Sequence, residues 1–341
     1  MRSVRQVRVH GPGDVRVDEV PRPSPGPRDA VVRVAACGIC GTDLSFIRLG
    51  GSRGPSDTPL CLGHEIAGVV DWVGSEVRTV KVGERVVVHP GNDELGRIGT
   101  GAPEGGLTPE LLVREAARDG RLFRVPDGMP LDVAALAEPL AVGMQAVNRA
   151  QVTRGDKVAV FGCGPIGLFA LATLLDRGVA DTVAIDLNPR RRALALALGA
   201  QAVLDPAACD PFDELARLHG TAPFLYGPTP ATNAFIEASG SAKVITDVLQ
   251  RGRAGGRLSV VALHYAPVPT NFLLVMMKQF SIHGSMEYPQ RFADAIELLA
   301  RRDLSPIVTH RVPLARFDEA LGVLQGAADC GKVLVTMGDE R

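Results

Sequence analysis

Two short stretches gather side chains that bind metals. ACGICGTD (36–43) holds Cys37 and Cys40, and PLCLGHEIAGVV (59–70) sets His64 beside Glu65 in a glycine turn. A third carboxylate, Glu138, lies in ALAEPLAVG (135–143). Two cysteines three apart fit a redox dithiol, half of a zinc knuckle, or one ligand with a bystander. A redox dithiol starts a helix after a strand, whereas Gly38 and Gly41 predict a turn around this pair. A knuckle needs a second ligand pair, and the chain has no second CxxC and no HxxxH. One thiolate, one imidazole and one carboxylate suit zinc with a position left open for water or substrate.

A second chemistry is written in VAVFGCGPIG (158–167), where Gly162, Gly164 and Gly167 form GxGxxG between an apolar strand and a helix. The first glycine permits the tight turn, the second lets backbone approach a pyrophosphate, and the third packs helix on strand. Pro165 and Ile166 complete the helix start, whose free amides and dipole attract phosphate. Asp186 closes the next strand, VAID, where a carboxylate accepts from an adenosine ribose and repels a 2′-phosphate, so NAD is predicted. Leu187 and Arg191 flank it and are counted with this site. Arg190 and Arg192 read with Arg191 as a solvated helix face, although an arginine there could pair with the extra phosphate of NADP.

The elements that must position these residues come in two textures. From Val4 to about Gly91, alternating valines broken by Gly and Pro (VRQVRVH, AVVRVAA, IAGVVDWVG, ERVVVHP) predict short strands of a small barrel or sandwich. GNDELGRIGTGAPEGG (91–106) reads as a loop. After Pro126, LDVAALAEPLAVGMQAVNRA predicts a helix, and strands then alternate with helices as in a parallel, doubly wound sheet. From about Tyr288 helices and strands mix again. The expected domains are 1–150 with 288–341, and 151–287.

Composition limits the partners. The 37 basic and 38 acidic residues balance, so no global field draws nucleic acid or an anionic membrane. No apolar run reaches the roughly 20 residues that span a bilayer. The Val/Arg alternation at the N-terminus is unlike a signal peptide. Six scattered cysteines do not make a disulfide framework. A cytoplasmic protein with small-molecule partners is expected.

Taken in order, CGICGTD, LGHEIAGVV, VGERV, AEPLAVG, VFGCGPIGL, AIDLNPRRRALALALGA, IEASGSAKVI, RGRAGGRLSVV and GKVLV resemble the medium-chain dehydrogenases with catalytic zinc, in particular the sorbitol, butanediol and threonine dehydrogenase branch. The resemblance covers essentially the whole chain. It implies an α/β fold, with a GroES-like β-barrel catalytic domain and a Rossmann doubly wound parallel sheet. It further implies one zinc per chain, hydride transfer between NAD(H) and a secondary alcohol, polyol or ketone, and a homodimer or homotetramer. Cys40 and His64 become zinc ligands, completed by Glu138 or Glu65. Asp43 orients the ligating histidine, Thr42 receives the substrate's proton, and Lys332 lies near the cofactor pyrophosphate. A zinc-free quinone or enoyl reductase and a noncatalytic NAD-binding regulator are the competing readings.

Two departures stand out. Many relatives hold a second, structural zinc on four cysteines after the VGERV turn, but HPGNDELGRIGTGAPEGG has none. Many also carry a proton-exit histidine three residues after the threonine, where this chain has Ser45. A relay through Ser45 and water is expected instead.

Overall fold

Alternating valines become strands whose alternate side chains are buried. In β1 (Ser3–Gly11), Val7 and Val9 are buried and Arg8 between them is half-exposed. The chain then forms β2 (Asp14–Pro21), β3 (Ala30–Gly38), helix α1 (Gly41–Leu49), β4 (Leu60–Cys61), β5 (Glu65–Val73), β6 (Arg85–Val88), β7 (Glu110–Val113) and β8 (Leu122–Arg124). The predicted helix of 131–150 is two, α2 (Leu131–Ala134) and α3 (Ala137–Arg149). This computed structural model describes residues 3–91, 97–101, 103–326 and 330–338. Residues 92–96 and 102 of the predicted loop lie outside the described ones.

The doubly wound part follows as β9 (Val158–Phe161), α4 (Pro165–Asp176), β10 (Thr182–Ile185), α5 (Pro189–Leu198), β11 (Ala202–Leu204) and α6 (Pro211–His219). A small hairpin of β12 (Thr221–Ala222) and β13 (Thr229–Pro230) precedes β14 (Ala234–Glu237), α7 (Ala242–Arg251), β15 (Arg257–Val260), α8 (Phe272–Lys278) and β16 (Ser281–Gly284). The six long-range strands are all parallel, in the order β11-β10-β9-β14-β15-β16. Strand order therefore reverses between β9 and β14, the place where such sheets bind ligands.

The chain returns through α9 (Ala293–Arg301), β17 (Val308–Pro313), α10 (Phe317–Gly326) and β18 (Lys332–Thr336). β17 and β18 complete a seven-stranded sheet, β17-β18-β3-β5-β6-β8, with β7 also on β3. A second sheet, β2-β1-β4, shares its core, which joins Val7 and Val9 to Val32, Val70, Val86 and Leu111.

By internal contacts the units are Met1–Glu138 with Phe292–Arg341, and Pro139–Arg291. The first boundary therefore falls inside α3 rather than at the expected 150/151, with only Ala137 and Glu138 of this helix in the first unit. The second falls at 291/292 rather than 287/288. No described helix is long and apolar enough to cross a membrane.

Candidate active site

The metal-binding side chains lie where neighbouring strands end. β18, β3 and β5 are adjacent, and Gly38, the last residue of β3, pairs with Glu65, the first of β5. Two residues past Gly38, Cys40 is the N-cap of α1. Asp43, three residues further, accepts the Cys40 amide through Oδ2 at 2.9 Å, as the third helical residue of a capping box does. Its Oδ1 accepts the Gly63 amide at 3.1 Å. One buried carboxylate thus ties the turn bearing Cys40 to the turn bearing His64. Gly63 is at φ +89°, and a Cβ there would lie 2.7 Å from both Cys37 Sγ and a Leu107 side-chain carbon, so only glycine fits.

Ligand atoms of Cys40, His64 and Glu65 come within 4.8 Å of one another. Cys40 is half-buried and the other two are buried. Glu65 Oε2 and His64 Nδ1 have no hydrogen-bond partner; Asp43 Oδ1 stands 3.8 Å from Nδ1, beyond bonding distance. A buried carboxylate oxygen left without a donor is costly, and a cation between thiol, imidazole and carboxylate would satisfy it. Sulfur, nitrogen and oxygen in this number are a zinc donor set, so the residues fit the metal. Thr42 shares this corner, its Oγ1 lying 3.7 Å from Cys40 Sγ.

Charge is concentrated around the trio. Burial alone would push the His64 imidazole down, but Asp43, Cys40 and Glu138 together carry its pKa well above the usual histidine value. Burial, reinforced by Asp43 and Glu65, pushes the Cys37 thiol well above its ordinary value. Cys37, fully buried, therefore keeps its proton and stays outside the cluster. A metal-bound imidazole must be neutral, so zinc has to displace the proton held on His64. Zinc affinity is expected to fall on acidification from neutral pH, by about one decade per pH unit for each proton displaced. Chelator competition across that range measures the slope, and a flat profile would mean that zinc displaces no proton from His64 or from any other ligand.

The glycine turn is built as tightly. Gly162 is at φ +93°, with room for no Cβ against the Ala238 and Ser239 backbone at 2.7 Å. A Cβ on Gly167 would lie 1.8 Å from the Gly162 carbonyl oxygen. Gly164 caps α4 with Pro165 at its first position and faces open space. Ile166, next in the helix, is half-buried. Asp186 accepts the Cys163 amide (2.6 Å) and the Asn188 amide (2.7 Å), one on each oxygen, which leaves lone pairs for a ligand. Arg192 is held on the Asp186 and Leu187 carbonyls (2.7 Å each) and on Asp205 at 2.9 Å. Leu187 is 68% exposed beside Asp186. Cys163 is buried, with its thiol pushed up to about 12 mainly by burial, and so is unreactive at neutral pH.

Residues 26–126 match the family described as alcohol dehydrogenase GroES-like domain, and residues 165–301 match that described as zinc-binding dehydrogenase. Human sorbitol dehydrogenase is 33% identical over 331 residues, covering 92% of this chain and 90% of its own. The chain belongs to the zinc-dependent medium-chain alcohol dehydrogenase family. The solved 2R,3R-butanediol dehydrogenase of Bacillus subtilis superposes with a TM-score of 0.86 at 28% identity, over 98% of this chain and all of the other. A Sinorhizobium meliloti protein described as a zinc-binding dehydrogenase and solved with NADP gives 0.85 at 27%, over 98% of this chain and all of the other. The family brings zinc and a nicotinamide dinucleotide as cofactors.

In this medium-chain dehydrogenase the structure corrects three expectations. The segment after Cys40 is a helix rather than a glycine turn alone, so Cys37 is set aside by its burial and not by loop geometry. Of the two expected carboxylates, Glu65 is the one whose oxygen groups with Cys40 and His64 within 4.8 Å, while Glu138 sits in the first turn of α3 and acts on His64 and Lys332 through its charge. Lys332 is not presented to a phosphate: it is 3% exposed, and its Nζ donates to Glu65 Oε1 (2.5 Å) and the Ile39 carbonyl (3.0 Å). Ser45 is half-buried and lines an open groove of about 710 Å³ between α1 and α10, together with Arg48, Asp318 and Gln325.

Proposed function

We propose that this medium-chain dehydrogenase transfers a hydride between NAD(H) and a secondary alcohol or polyol, with zinc held by Cys40, His64 and Glu65. The observation that carries the reading is the buried trio with its donor-less Glu65 Oε2. Zinc supplies Lewis acidity at the substrate oxygen, which makes the hydroxyl proton easier to remove near neutral pH. Asp43 fixes both ligand-bearing turns. Thr42, whose hydroxyl lies beside the ligand sulfur, accepts the substrate's proton in this reading, and that proximity supports it. Ser45 follows one helical turn later on the same side of α1 and opens onto a solvent groove, which supports its passing the proton to water. Asp186, anchored by two amides beside an Arg192 committed elsewhere, supports NAD over NADP. The names of the relatives, sorbitol and butanediol dehydrogenase, support vicinal diols and polyols as the substrate class.

A panel of alcohols, polyols and ketones with NAD and NADP, followed by reduced-nicotinamide absorbance with and without chelator, tests this. Zinc-dependent turnover with NAD on a secondary alcohol is expected; cofactor binding without any turnover would overturn it. Ser45→His should shift the pH dependence of kcat while leaving zinc content unchanged, and an unaltered profile would remove Ser45 from the proton route.

A second copy of the chain is the partner we read on the edge of the parallel sheet. β16 has no neighbour on its outer side among the described residues, and it carries Ile282. Phe272, Leu273 and Met276 of α8, and Met286 after the strand, are 57–81% exposed. Such an edge can pair with itself across a two-fold axis and cover these side chains. Sedimentation of Ile282→Lys should show smaller particles than the unchanged protein. No disulfide joins any of the described cysteines, which supports a reducing, cytoplasmic location.

A further inference from the structure

Lys332 and Glu65 form a buried pair that the zinc reading does not by itself explain. Lys332 begins β18 and Glu65 begins β5, with β3 between them. The two side chains meet across the end of β3 because Gly38 has no side chain there: a Cβ at Gly38 would lie 1.8 Å from Glu65 Oε2. The ammonium takes Glu65 Oε1 at 2.5 Å and is steadied by the Ile39 carbonyl at 3.0 Å. Both side chains are almost fully buried, at 4% and 0% exposure. The other carboxylate oxygen, Oε2, has no donor and belongs to the cluster with Cys40 and His64.

We propose that Lys332 is a positioning residue for the metal site, a fixed cation that holds Glu65 by one oxygen and keeps the other aimed and free before any metal arrives. This rests on the reading that Cys40, His64 and Glu65 hold zinc. The physical argument is one of alternatives. A carboxylate shut away from water must be paired, neutralised or bound to a cation. Among the described residues, Lys332 supplies that pairing directly. Because the ammonium occupies Oε1, Glu65 offers a single oxygen and cannot swing to a two-oxygen grip. With metal in place the carboxylate has a second positive partner, so the folded protein depends less on the lysine.

That difference sets the test. Lys332→Met should lower the melting temperature of the chelator-treated protein more than that of the zinc-loaded protein, so that the zinc-induced rise in Tm exceeds that of the unchanged protein by roughly 5 °C or more. A lysine that merely packs the strand ends would lower both forms equally. If stoichiometric zinc produces the same rise in both proteins, the proposal is overturned while the zinc reading stands. If the unchanged protein takes up no zinc, the zinc reading falls and the proposal with it. Should Lys332→Met alone fail to fold without metal, the double variant Lys332→Met/Glu65→Gln, which removes the stranded charge, should fold again. Failure of that rescue would also overturn the proposal.

Discussion

Exchanging one sulfur for oxygen, in Cys40→Ser, should remove the zinc and leave the fold in place. Serine is a better helix N-cap than cysteine, so α1 loses nothing at its first turn. The Asp43 carboxylate still receives the amide of residue 40 and that of Gly63, so the two ligand turns stay joined. What disappears is the only thiolate donor of the cluster. Zinc bound should fall below about a tenth of the unchanged protein's content, and kcat/KM by about a thousandfold or more, the equivalent of several kcal/mol of lost Lewis-acid catalysis. Metal analysis, chelator-state melting curves and steady-state kinetics on one preparation separate the effects. A variant that keeps both zinc and turnover would remove Cys40 from the site.

The second large effect comes from a methyl group. Gly38→Ala asks for a Cβ 1.8 Å from Glu65 Oε2 and 2.9 Å from its Cδ, in a strand where the backbone itself tolerates alanine. All of the cost therefore falls on the carboxylate, which is buried and already tied to Lys332. Overpacking of this kind costs about 1–3 kcal/mol of stability, and displacing Glu65 from its held position should weaken zinc binding by about ten- to a hundredfold, as loss of a ligand's support does. Gly41→Ala, on the other side of Cys40, is the control. It has open space around its Cβ and an α-helical position, so it should bind zinc normally and melt no lower. Chelator competition on the two variants reads the contrast, and equal affinities would show that Gly38 does not shape the site.

Much of this was legible in the residues because the signals are local. The glycines of 162–167 mark a strand-to-helix turn whether or not the sheet around them is known, and Asp186 falls at the end of the next strand by simple alternation of elements. That a thiolate, an imidazole and a carboxylate suit zinc likewise follows from chemistry alone, and the resemblance then picks out Cys40 and His64. Other features depend on contacts that sequence distance conceals. Lys332 meets Glu65 across 267 positions, so a lysine that looks like a phosphate contact becomes a counter-ion of the metal site. Helix α1 was hidden because its first residues, Gly41 and Thr42, are poor helix formers, and Asp43 makes up for them by capping. Gly38 and Gly41 look alike in ACGICGTD, yet one lies beneath a carboxylate and the other faces open space. The choice between Glu65 and Glu138 could only be made once β5 and α3 were placed.

The central claim is that one zinc per chain sits on one sulfur, one imidazole and one carboxylate. X-ray absorption at the zinc edge, on protein purified with its metal and quantified against chain concentration, tests it most directly. The expected spectrum has one zinc per chain, a single sulfur at about 2.3 Å and the remaining neighbours nitrogen or oxygen at about 2.0–2.2 Å. A four-sulfur shell, or a protein that carries no zinc at saturation, would contradict the account.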